Sequence, residues 1–237
     1  MNRLLRYLFI AVLSLYNIPL HAQQPKPVKL FKPEDFTRQD SIRLAKEFGN
    51  NKEILPQFAF PALIALSYFP ELKNTSIRFV FKPAHTPLTT RPTVLSIFRK
   101  GNKRKFTITI SDTSVFKLEP LLLFRMNYNA RIGVIGHELS HVADFSKSTF
   151  LQFVGSGIGH LSSNYLDKFE FRTDSICIAH GLGYQLLAWS TFVRTTMQTT
   201  NWRGADNVNN MPMKKERYMN PSTIEKYIAS MPEIYKQ

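Results

Sequence analysis

The chain has 237 residues but only one cysteine, Cys177, so no intramolecular disulfide can form. Stability has to come from a packed core or from a bound group. Acidic residues are scarce as well: 17 Asp and Glu stand against 31 Lys and Arg, a formal charge of +14. A basic balance of that kind suits nucleic acid or an anionic membrane surface. The cations fall in short clusters at 99–100, 103–105 and 214–217, however, which read as solvated loops. No nucleic-acid partner is therefore expected, and at most a weak association with an anionic membrane surface. After residue 22 no apolar run approaches the ~20 residues of a spanning helix, and no internal repeat is visible.

What is present begins with a leader. Residues 1–6 are basic, 7–20 are apolar, and His21-Ala22 puts a small residue before a possible cut. This reads as a secretory signal peptide over 1–22, giving an exported protein of the periplasm or the medium, with an uncleaved anchor as the alternative. Residues 23–33 form a Pro- and Lys-bearing linker, and 34–237 is long enough for one domain with a real core.

Chemistry concentrates at Gly136-His137-Glu138-Leu139-Ser140-His141, an H-E-x-x-H motif. Ile132, Val134, Ile135, Leu139 and Val142 surround it, so the charged pentad lies on a buried helix. Asn127 or Asn129 can cap its start. On a helix His137 and His141 share one face and can hold one tetrahedral Zn2+. Glu138, one position round, can act as general base toward a water that the metal activates. A catalytic zinc also needs a third protein ligand. The residues after His141 do not continue as H-x-x-G-x-x-H, so the metzincin arrangement is excluded. Farther on, Glu170 and Asp174 are four apart in a second helical run. One of the two carboxylates can bind the metal while the other accepts the N–H of a ligand histidine.

H-E-L-S-H followed by E-F-R-T-D resembles the gluzincin metallopeptidases, such as thermolysin and the CAAX prenyl endopeptidase family, over about residues 127–183. The resemblance implies a zincin-like fold with His137, His141 and Glu170 as zinc ligands. It also implies Glu138 as catalytic base, Asp174 as the group orienting a ligand histidine, and a peptide or protein substrate. His160 is the competing third ligand, in the manner of Spartan-type proteases. The family's oxyanion-stabilising His or Tyr has no unambiguous counterpart; Tyr165 and His180 are candidates. The opposing function is a basic cell-envelope binding or adaptor protein with a structural or degenerate zinc site. Glu138 separates the two, because a structural site has no need of that carboxylate.

The remaining pattern is α+β: a small, mostly antiparallel sheet followed by a helical bundle that carries the zinc site. Helices are expected at 37–49, 58–69, 164–179 with a bend near Gly181 and Gly183, up to about 197, and 221–231. Ser222 and Glu225 suggest a capping box for the last. Strands are expected at 76–82, 93–98 and 105–111, the last two as a hairpin through a turn at 100–103, with a polar loop at 83–92. The 105–111 strand is the expected edge for an extended substrate. Gly133, Thr173, Cys177 and Gly181 suggest close approach of the two metal helices, with Cys177 as a buried filler rather than a thiolate ligand.

Overall fold

The computed structural model describes residues 25–114, 116–149, 162–204 and 215–236. The expected leader and His160 lie outside these residues. Seven α-helices are described: α1 (Arg38–Phe48), α2 (Ala59–Ser67), α3 (Tyr128–Lys147), α4 (Ser163–Cys177), α5 (Gly183–Met197), α6 (Pro221–Ala229) and α7 (Pro232–Tyr235). Four strands, β1 (Lys52–Glu53), β2 (Ser76–Phe81), β3 (Leu88–Pro92) and β4 (Lys105–Ile110), form one sheet in the order β1-β2-β4-β3.

The sheet is mixed, not mostly antiparallel. β1 pairs parallel with β2 and β2 parallel with β4; only β3 runs antiparallel, to β4. The expected strand at 93–98 is instead a 3-10 turn over Val94–Ser96. Its apolar residues suit a strand, but the Ser96 hydroxyl donates to the Thr93 carbonyl at 2.9 Å, a local bond that competes with a ladder. The real strand is Leu88–Pro92, inside the expected loop. It is an edge strand, the place where polar residues and a terminal proline are tolerated. Accordingly β3, not β4, is the exposed edge beside the motif helix. Thr90 donates through its hydroxyl to the Glu138 carbonyl at 3.3 Å and ties that edge to α3.

The helices follow their sequence signals closely. Thr37 caps α1 in a capping box with Asp40, and Asn127 caps α3 by accepting from the Ala130 N–H at 2.9 Å. At α6 the start is set by Pro221 in the first turn rather than by a side-chain cap. Asn220 uses its amide elsewhere: it donates to Glu216 at 2.8 Å and accepts from Arg194 at 2.9 Å. The expected bend is a π turn over Ile178–Leu182, with Gly181 at φ +86°, a conformation that suits glycine. Taken together, 163–197 is long and apolar enough to cross a membrane, yet 56% of its most apolar window is buried inside the protein.

α3 is the centre of the core, enclosed by α2, α4, α5 and β3. Glycine makes that enclosure possible. A Cβ on Gly133 would stand 2.0 Å from the Gln185 carbonyl oxygen of α5, and one on Gly136 would stand 3.2 Å from Cys177 Sγ. Gly133 therefore brings α3 against α5, while Gly136 meets Cys177 at the end of α4. Cys177 is wholly buried and is not in the group of side chains that converge on the candidate metal site. Gly133→Ala should cost about 1–3 kcal/mol or more through backbone overlap, read as a lower denaturation midpoint with an unchanged slope.

Two basic clusters are not wholly solvated. Arg104 is 1% exposed and donates from Nη1 to the carbonyls of Phe145 (2.7 Å) and Ser148 (2.9 Å). It satisfies the last carbonyls of α3 and sits at the negative end of that helix. Arg217 is 6% exposed and donates to Asp167 at 2.9 Å.

Candidate metal centre

α3 and α4 bring the sequence-predicted residues together. His137 Nε2 lies 3.1 Å and His141 Nε2 3.3 Å from the same oxygen, Glu170 Oε2. One ligand atom from each of the three residues falls within 4.8 Å of the others. The i, i+4 spacing stacks the imidazoles along one face of α3, with ring centroids 4.8 Å apart and nearly perpendicular. Aromatic neighbours confine them: Trp189 and Tyr218 against His137, Phe169 and Phe145 against His141.

The back of each ring is fixed. Asp174, 1% exposed, takes His137 Nδ1–H on one carboxylate oxygen at 2.8 Å. Its other oxygen accepts the backbone N–H of Met219 at 2.7 Å. Thr173 donates to the Phe169 carbonyl at 3.0 Å, which leaves its hydroxyl oxygen to accept His141 Nδ1–H at 3.2 Å. Both rings thus offer Nδ1–H to a fixed acceptor and turn Nε2 toward Glu170, the orientation of metal-ligating histidines. Thr173 was read from the sequence only as a small packing residue; adjacency to Asp174 on α4 was the signal available for its second role.

Charge is concentrated and buried here. Burial opposes a charged His137, but its hydrogen bonds to Asp174 and Glu170 outweigh that and lift its pKa to about 10. For Glu170, burial raises the pKa, yet the two histidines hold it well below the usual carboxylate range. Glu138 differs: it is 6% exposed, and its Oε2 has no hydrogen-bond partner among the described residues. A buried carboxylate oxygen left without a donor beside three converging ligand atoms fits a site built to receive a cation and a water. The donor set itself, two imidazoles and a carboxylate, fits zinc and other divalent transition-metal ions.

A cleft of about 370 Å³ opens over this centre, lined by Glu138, His137, His141, Glu170, Tyr218 and the length of β3. Neither Tyr165 nor His180 lines it. Tyr165 stacks on Phe169 with centroids 6.1 Å apart. His180 is engaged at both nitrogens, with the Ile176 carbonyl (2.7 Å) and Glu71 (2.8 Å), and stacks on Phe69, so it has no donor to offer the cleft. Asp144 pairs with Arg172 near the end of α3.

The phenol in the cleft is Tyr218, which the sequence did not single out. Its ring lies 5.6 Å from His137 and edge-on to Trp189. Burial, then the nearby Glu170 and Glu138 carboxylates, pushes its hydroxyl well above the phenol range, so it remains a protonated donor. Bonds on either side fix its backbone. Arg217 is held by Asp167, the Tyr218 carbonyl accepts from Arg194 at 3.0 Å, and the Met219 N–H reaches Asp174. No protein-family model, curated protein or solved structure matches this chain, so the site stands on its geometry alone.

Proposed function

We propose that the protein is a zinc-dependent metallopeptidase. The observation that carries this reading is Glu138 Oε2, a buried carboxylate oxygen without a partner among the described residues, next to His137, His141 and Glu170 in an open cleft. A structural metal site requires the three ligands but not this fourth, unsatisfied group, which disfavours the adaptor alternative.

His137, His141 and Glu170 would hold Zn2+, which when bound supplies Lewis acidity toward a water and a carbonyl oxygen. The residues of this chain do the rest. β3, an edge strand among the described residues, offers that edge to an extended peptide, laying the scissile bond across the cleft. Glu138 takes a proton from the attacking water as the C–O bond forms, and returns it to the amide nitrogen as the C–N bond breaks. The Tyr218 hydroxyl donates a hydrogen bond to the carbonyl oxygen as negative charge develops on it. Asp174 and Thr173 hold the two imidazoles in one tautomer throughout.

Metal analysis tests the reading. The purified chain should hold close to one zinc, and His137→Ala with His141→Ala should abolish it; stoichiometric zinc in that double variant would defeat the assignment. Tyr218→Phe should keep zinc and lower kcat about 10²–10³-fold with little change in KM, measured by steady-state cleavage of a peptide substrate.

A further inference from the structure

The turn that joins β3 to β4 presents apolar side chains to solvent. Val94, Leu95 and Phe98 are 75%, 86% and 74% exposed, the three highest values among the exposed large hydrophobic residues described. They do not belong to a loose loop. Ser96 is buried, and its N–H donates to the Thr93 carbonyl at 2.8 Å while Thr93 Oγ1 donates to Ser96 Oγ at 2.9 Å. Ser96 Oγ also lies 3.0 Å from the Lys105 carbonyl. Arg104 anchors the far side by donating to the Ile97 carbonyl at 3.3 Å. A fixed backbone therefore holds these apolar groups outward.

The chain on either side of this tip carries charge of one sign. Arg91, Arg99, Lys100, Lys103 and Lys105 are all exposed, and none makes a side-chain hydrogen bond or ion pair among the described residues. No Asp or Glu occurs anywhere between Glu71 and Asp112. Three protruding apolar groups within a collar of cations match a surface that is negative outside and apolar beneath. A flat acidic protein patch would meet the collar but would leave the protruding side chains against charge.

We propose that the 94–98 tip docks this protein on an anionic lipid surface, with Val94, Leu95 and Phe98 entering the headgroup boundary and the five cations meeting lipid phosphates. β3 runs from the metal cleft directly into the tip, since Arg91 and Pro92 line the cleft and Val94 begins the turn. Docking would thus hold the cleft beside the lipid surface.

The test uses the full chain carrying Leu95→Cys with an environment-sensitive fluorophore. Cys177 is wholly buried, so the label is confined to position 95. A control chain carries the label at Glu53→Cys, exposed on β1 at the opposite edge of the sheet. With vesicles of phosphatidylcholine and phosphatidylglycerol, the position-95 label should shift to the blue and the position-53 label should not. Lys100→Gln with Lys103→Gln should weaken the response roughly fivefold per cation, about 25-fold for the pair. A position-95 label that stays in water with every vesicle overturns the proposal and points to a protein partner instead. A response equal at both positions, or one indifferent to the lysine pair, overturns it as well. None of these outcomes depends on hydrolysis, so they leave the peptidase reading to its own tests.

Discussion

Glu138→Gln should leave zinc bound and the helix intact while peptide hydrolysis falls by about 10²–10⁴-fold. The substitution keeps the shape of a side chain that is almost wholly enclosed, and the Glu138 backbone keeps its bond from Thr90. What it removes is proton affinity, since an amide nitrogen has no lone pair available at neutral pH. None of the three ligand atoms is touched, so metal content should not move. Elemental analysis and cleavage of a mixed peptide library, run on the same preparation, separate the two quantities. A variant that cleaves as fast as the parent would end the peptidase reading whatever its metal content.

Glu170→Ala and Asp174→Asn should both weaken metal binding, in that order of severity. Glu170 contributes the oxygen that faces both Nε2 atoms, so its loss leaves two ligands and an affinity collapse measurable by chelator competition. Asp174 acts from behind. Its two oxygens serve two donors, the His137 Nδ1–H and the Met219 N–H. An asparagine has one acceptor oxygen, so one of those donors loses its partner. If the amide N–H₂ faces His137, the ring must accept at Nδ1 and carry its proton on Nε2, where the metal would bind. The expected loss is about 10–100-fold in affinity or activity. His160→Ala completes the comparison: a site emptied by that change and still full in Glu170→Ala would make His160 the third ligand.

The parts of this centre that the sequence discloses are those fixed by local geometry. His137 and His141, and Glu170 and Asp174, are paired by helical spacing; α3 forms where its Asn127 cap and apolar pattern predict it, and α4 where its helical run does, without a side-chain cap. Tyr218 has no such spacing to betray it. It reaches the cleft because Arg217 finds Asp167 and Met219 finds Asp174, contacts between distant parts of the chain. The sheet failed for a different reason. Val94 to Phe98 has strand composition, but Pro92 ends the preceding strand and the Ser96 hydroxyl closes a turn. Arg104 and Arg217 look like solvent charges in a list of residues, and only the fold shows the carbonyls and carboxylate that receive them.

The convergence of His141 and Glu170 on one point has a consequence in polymer terms. These residues lie on successive helices, and an ion held by both closes the intervening chain into a loop, as a covalent cross-link would. A protein with one cysteine cannot make such a link from sulfur. Unlike a disulfide, this link responds to the chemical potential of the metal outside. Above the dissociation constant, each tenfold rise in free metal adds about 1.4 kcal/mol to the folded state, and a chelator takes the same amount away.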